Sequence, residues 1–231
     1  MTIPVSKTQL DLLGDRLRAG ATTDSDLRLL DTFRRTFVPP YEHVILTVKN
    51  VLAVDVTGRP AKSTTSIIEK LKRESIRLTQ IQDIAGCRFV VSDVLAQDKA
   101  VAQLVGALTS TTVVDRRDRP SHGYRAVHVV AMIEDKPIEI QIRTTLQHLW
   151  AEFSEKSADI FDPSIKYGKG PAEVLSVLTD LSSMLADVEA DELESQEAPA
   201  DPGFDALKRD LRKALGLLIE RTAALRKKRV E

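Results

Sequence analysis

The stretch 123–143, GYRAVHVVAMIEDKPIEIQIR, constrains this chain more than any other. Successive side chains of a strand alternate between its two faces. Over 137–143, Ile138, Ile140 and Ile142 therefore point one way, into a core, and Glu139, Gln141 and Arg143 point the other. The preceding arm, 125–133, places Tyr124 and His128 at the same parity, and Glu134, Asp135 and Lys136 make the short polar link of a β-hairpin. Paired arms of this kind would be expected to hold an aromatic ring and a carboxylate over one cleft.

Around this hairpin the periodicity predicts helices at 6–19, with Leu10, Leu13 and Leu17 on one face, and at 24–37, with Leu27, Leu30, Phe33 and Phe37. Asp24 or Ser25 is the expected cap of the second. Pro39 and Pro40 should break the chain before a helix resumes at 41–54. A loop at 57–60, a helix at 64–78 and a turn at 83–86 lead into an apolar strand at 87–91. A helix at 94–109 and a strand at 111–116 come before the hairpin. After it, a helix at 144–159 carries Leu146, Leu149, Trp150 and Phe153, and is closed by Asp162 and Pro163. A glycine-containing linker at 166–170 precedes a helix at 171–195, a break at 197–202 and a last helix at 204–228. The hairpin requires an antiparallel component, so the fold class is α+β with a mixed sheet.

Composition narrows the function classes. Hydrophobic residues make up 42% of the 231, enough for a real core. No apolar run approaches the roughly 20 residues of a membrane span, and the first ten residues lack a signal-peptide pattern, so the expected location is the cytoplasm. The single cysteine, Cys87, allows neither an intramolecular disulfide nor a cysteine-rich zinc site, and it reads as buried packing. A formal charge of −1 argues against a dedicated nucleic-acid scaffold. The basic run Arg226, Lys227, Lys228 and Arg229 at the end of the last helix reads first as a solvated helix end.

Two groups of polar residues carry the chemistry. Ser66, Lys70 and Arg73 share the i, i+4, i+7 face of one helix, and Arg59 and Lys62 lie just before it, where backbone N–H groups favour anions. Such a set suits a polyphosphate. Asp83, in a turn, and Glu139, on the hairpin, are two carboxylates from separate elements, the usual protein share of a Mg²⁺ site. Arg88 follows on the strand after Asp83. Tyr124, with Arg125 next to it, offers a flat ring at a loop-to-strand junction, suited to stacking on a base.

The ordered segments RPAKSTTSIIEKLKR, IQDIAGCRFVV, HGYRAVHVV and EIQIRT resemble the synthetase domain of the RelA/SpoT family, specifically its single-domain small alarmone synthetases. That resemblance implies a nucleotidyltransferase-like α+β core at 55–165, with an N-terminal helical segment at 1–54 and a C-terminal helical extension at 166–231. It implies transfer of the β,γ-pyrophosphate of ATP to the 3′-hydroxyl of GDP or GTP. By motif, Arg59, Lys62, Ser66, Lys70, Arg73 and Arg88 would hold ATP, and Asp83 and Glu139 would bind Mg²⁺ and act in catalysis. Tyr124 would stack on the acceptor guanine, and Arg125, His128, Gln141 and Arg143 would line the acceptor side or support the metal carboxylate. The terminal helices are the surface expected to mediate any homo-oligomer.

The pattern departs from the family in two places. Two residues rather than one separate Arg59 from Lys62, and Arg117, Arg119 and Ser121 stand where a lysine often precedes the GY pair. His43, His122, His128 and His148 include no HD dipeptide, so degradation of the product should need another enzyme. Two other readings stay open: a tRNA 3′-end pyrophosphokinase toxin of the same family, and a catalytically idle nucleotide-sensing module.

Overall fold

The computed structural model describes residues 5–194 and 202–230. Its elements are helices α1 (Lys7–Ala19), α2 (Asp24–Arg35) and α3 (Val38–Leu52), strand β1 (Thr57–Arg59), helix α4 (Thr64–Arg73), strand β2 (Ala85–Val91) and helix α5 (Val94–Ala107). Strands β3 (Thr111–Asp115), β4 (Val127–Ile133) and β5 (Lys136–Thr144) follow, then helices α6 (Thr145–Ile160), α7 (Ala172–Glu194) and α8 (Pro202–Val230). The strands form one mixed sheet in the order β1-β2-β5-β4-β3, flanked by helices. The α+β class expected from the hairpin is the one observed.

The chain divides into two compact units. The first comprises Met1–Phe89, Gln103–Val113 and Val129–Gln141. Here α1 and α2 begin at Ser6 and Thr23, whose side chains accept backbone N–H bonds in capping boxes closed by Gln9 and Asp26. Thr23, not Asp24 or Ser25, is therefore the cap of α2. Pro39 and Pro40 do not interrupt the chain either. They lie in the first turn of α3, where a missing N–H costs nothing and the fixed φ suits a helix. The segment 57–59, expected as loop, is a strand because it pairs antiparallel with β2, Thr57 facing Arg88 and Arg59 facing Gly86.

Helix α4 ends at Arg73 rather than continuing to 78, since Glu74 is extended and a separate 3₁₀ turn, Leu78–Gln80, buries Leu78 against α1. Ile67 and Leu71 bury the face of α4 next to its basic row. The hairpin link is the two-residue turn Glu134-Asp135, both with positive φ (49° and 60°), while Lys136 already belongs to β5. Such a turn matches the right-handed twist of its strands. Ile138 and Ile140 are 0% exposed, as the alternation requires.

The second unit comprises Val90–Ala102, Val114–His128 and Ile142–Glu231. Thr144 caps α6 in a box with Gln147. Asp162 and Pro163 do not merely close α6. Asp162 caps a 3₁₀ helix, Pro163–Tyr167, that takes in the first two residues of the expected linker and ends at Gly168 with φ 69°. Leu146, Trp150, Phe153, Leu178, Leu185 and Leu215 form a shared core of α6, α7 and α8. Of the break expected at 197–202, residues 197–201 lie outside the described residues and Pro202 already belongs to α8; the side chains of the basic run 226–229 also lie outside them. Among the described residues no helix is long and apolar enough to cross a membrane.

Candidate functional site

In the first unit the basic residues converge on a carboxylate. The turn before β2 presents Asp83, and the Lys62 N–H donates to the Ile84 carbonyl (2.6 Å), pinning the lysine segment to that turn. Lys62 Nζ donates to Asp83 Oδ2 at 2.5 Å and Lys70 Nζ to Oδ1 at 2.9 Å. Burial alone would raise the Asp83 pKa, but the two ammonium charges outweigh it and hold the carboxyl below its ordinary value. Ser66 lies at the start of α4, where Ser63 caps its N–H and donates to its Oγ. Arg73, at the exposed end of the helix, pairs with Glu74 at 2.9 Å. Arg59 is exposed on β1, and Arg88 is half-buried on β2.

Glu139 lies against β2. A Cβ on Gly86 would stand 2.7 Å from the Glu139 carbonyl oxygen, so only a bare backbone fits there. Gln141 Nε2 donates to Glu139 Oε2 at 2.7 Å, which fixes the carboxylate's orientation. Cys87 beside it is 4% exposed, and burial, with the charge of Glu139, pushes its thiol up to about 12.

The donor chemistry of Asp83 and Glu139 fits Mg²⁺ of one kind. Among the described residues no three acidic, histidine or cysteine side chains come together as a metal cage. Two carboxylates from separate elements are the usual protein share of a Mg²⁺ whose remaining ligands are phosphate oxygens and water.

In the second unit Tyr124 is held from several sides. Residues 121–124 make a tight turn, with reciprocal backbone bonds between Ser121 and Tyr124 (3.3 and 3.0 Å) and positive φ at His122 and Gly123. The Tyr124 hydroxyl accepts from Arg143 Nη2 (3.1 Å) and Nε (3.3 Å), leaving its own proton for His128 Nε2 at 3.0 Å. The Arg143 guanidinium also lies 5.1 Å from the ring centroid. Three residues chosen from hairpin parity thus meet at one hydroxyl. Arg117, which stands near the missing lysine, is bound by Asp115 (2.6 Å) and Asp98 (2.8 Å). Burial would lower its pKa, but those carboxylates outweigh burial and raise it.

Sequence reasoning missed Glu189, Gln97, Gln147 and Ser182. Glu189 is 4% exposed and accepts from Thr144 Oγ1 (2.9 Å) and Gln147 Nε2 (2.7 Å). The signal was present: Leu178, Ser182, Leu185 and Glu189 follow the spacing of one buried stripe on α7, and two of the four are polar.

The five-stranded mixed sheet with its flanking helices defines a nucleotidyltransferase-like domain. Residues 58–159 match the model described as the region found in RelA / SpoT proteins. The small alarmone synthetase 1 of Bacillus subtilis, solved bound to its product pppGpp, is similar with a TM-score of 0.59 and 25% identity over 75% of this chain and 100% of that one. An uncharacterized protein of Mycobacterium tuberculosis is 37% identical over 145 residues, 59% of this chain and 53% of the relative. The probable chloroplastic GTP diphosphokinase RSH3 of Arabidopsis thaliana is 37% identical over 103 residues, 42% of this chain and 14% of that protein. The chain spans about half the length of the mycobacterial relatives it matches.

Proposed function

We propose that this chain transfers the β,γ-pyrophosphate of ATP to the ribose 3′-hydroxyl of GDP or GTP, forming AMP and (p)ppGpp. The observation that carries the reading is the convergence of Lys62 and Lys70 on Asp83 at 2.5 and 2.9 Å, in a domain of the RelA/SpoT type. Two lysines sharing one carboxylate leave an excess of positive charge, which a polyphosphate satisfies. Ser66 at the start of α4, with Arg59, Arg73 and Arg88, extends that anion site along the triphosphate.

On this reading Tyr124 stacks on the acceptor base from the ring face that Arg143 does not cover, and Arg125 and His128 line the same side. The acceptor 3′-oxygen forms a bond to the β-phosphorus of ATP as the bond from that phosphorus to the α,β-bridging oxygen breaks. AMP leaves with the bridging oxygen, and the 3′-hydroxyl proton passes to Glu139, which Gln141 orients. Asp83 and Glu139 would hold Mg²⁺, which supplies positive charge where the phosphoryl oxygens gain negative charge. The rest of the catalysis is placement of two anionic nucleotides by fixed cations.

The test is incubation of the purified chain with γ-labelled ATP, Mg²⁺ and GDP, GTP or deacylated tRNA. Label on the guanine nucleotide, with AMP released in equal amount, is the expected outcome. Label on tRNA would replace this reading with the toxin one, and nucleotide binding without transfer would favour a sensor.

A further inference from the structure

We propose that Glu189 of α7 is a positioning residue for the acceptor segment 121–125, acting through Arg125. The inference rests on the acceptor reading of Tyr124 and Arg125 given above. It extends the working site beyond residues 58–159, the region that matches the family.

Helix α7 holds this segment at several points. Ser182 Oγ donates to the Gly123 carbonyl at 2.7 Å. Gly123, with φ 85°, fits so closely that an added Cβ would stand 2.7 Å from Trp150 Cζ2 and 3.3 Å from Ser182 Cβ. Trp150 is itself fixed, its Nε1 donating to the Leu178 carbonyl of α7 at 2.8 Å. About two helical turns beyond Ser182, Glu189 Oε2 lies 3.6 Å from Arg125 Nε. Both atoms are buried and neither makes a hydrogen bond.

The two oxygens of Glu189 therefore have separate tasks. Oε1 accepts from Thr144 and Gln147, which tie α7 to the end of β5 and the start of α6. Oε2 faces the Arg125 guanidinium, and the Arg117 charge also acts on the carboxylate. A buried carboxylate is a costly group to keep, and packing alone would be served as well by an apolar side chain. What the charge accomplishes here is to fix Arg125, and with it the backbone next to Tyr124. Burial also raises the Glu189 pKa despite the bonds from Thr144 and the charge of Arg125, so the group is not retained for stability at neutral pH.

Glu189→Gln separates the two tasks in the full chain. The amide oxygen still accepts from Thr144 and Gln147, while the amide nitrogen turns a donor toward the Arg125 donor. The expected result is a melting temperature no lower than wild type and a KM for ATP unchanged within about twofold. The KM for GDP or GTP should rise roughly tenfold or more, the scale of one lost charge-assisted contact. Amides of 121–126 should exchange faster with deuterium, and those of α1 should not. Ser182→Ala, which removes the bond to Gly123 without touching a charge, should loosen the same amides.

Parallel rises in both KM values with a lowered melting temperature would show a general packing role and overturn the inference. So would an unchanged acceptor KM. If the wild-type chain transfers to neither GDP nor GTP, the proposed function fails, and the exchange measurement still decides this point: unaltered protection of 121–126 in both variants refutes it, and selective loss supports it.

Discussion

Asp83→Asn separates a functional carboxylate from a structural counter-ion. The substitution keeps the volume and one acceptor oxygen but replaces the other oxygen with an NH₂ donor, which then faces an ammonium group. In wild type Lys62, Lys70 and Asp83 have side chains 12%, 19% and 20% exposed, so the ion pairs are neither fully dry nor solvated. Removing one partner of a fully buried pair costs about 3–5 kcal/mol, and exposed pairs contribute less than about 1 kcal/mol. With a fifth of the group in water and two lysines able to turn outward, a loss of about 1–3 kcal/mol is expected. For a chain of this size that lowers the melting temperature by roughly 2–12 °C. Transfer from γ-labelled ATP should then be measured well below both midpoints, where wild type and variant are equally folded. A functional Asp83 predicts a loss on the order of hundredfold or more, as for other principal electrostatic contributors. A purely structural Asp83 predicts full activity with the same thermal shift. Near-normal transfer by the folded variant at saturating Mg²⁺ would refute the assignment.

Glu139→Gln should also reduce transfer about hundredfold at unchanged melting temperature, measured by the same label assay, because it removes charge but almost no volume. Lys62→Ala and Lys70→Ala should each weaken ATP binding about tenfold or more by calorimetry and leave acceptor KM alone; the opposite split would exchange the two nucleotide sites. Asp26 gives the pH test: hydrogen bonds from the Arg16 guanidinium, then from Thr23, hold its carboxyl at about 2, against 3.8 ordinarily. A depressed carboxylate stabilises the fold above its unfolded value and loses that contribution as pH falls through its folded value. Asp26→Asn should therefore melt below wild type at pH 7 and 5, with the gap closing between about pH 4 and 2; a gap constant down to pH 2 would contradict it.

How much of this was legible in the sequence depended on whether the cause was local. The alternation of Ile138, Ile140 and Ile142 with Glu139, Gln141 and Arg143 is a period-two signal, and it placed the hairpin and the Tyr124–His128–Arg143 meeting point. Strand β1 carries no such signal: all three residues are exposed, and its extended state comes only from pairing with Cys87 and its neighbours on β2. Leu78 misled because it sits seven residues after Leu71, a helical interval, while its burial belongs to a separate turn beneath Gly14. Pro39 and Pro40 misled because proline ends a helix from within but begins one comfortably. The site residues were named by motif, yet their partnerships are long-range. Lys62 meets Asp83 across 21 positions and Thr144 meets Glu189 across 45, and no local pattern encodes either.

The buried cysteine makes this protein chemically quiet toward thiol reagents. Only the thiolate reacts readily, and with a pKa near 12 Cys87 is ionised at pH 7 to on the order of one part in a hundred thousand. A cysteine introduced at exposed Ser121 would therefore take up a maleimide dye alone, with the native residue left in place. The dye would sit beside Tyr124, and its emission could follow acceptor arrival in real time.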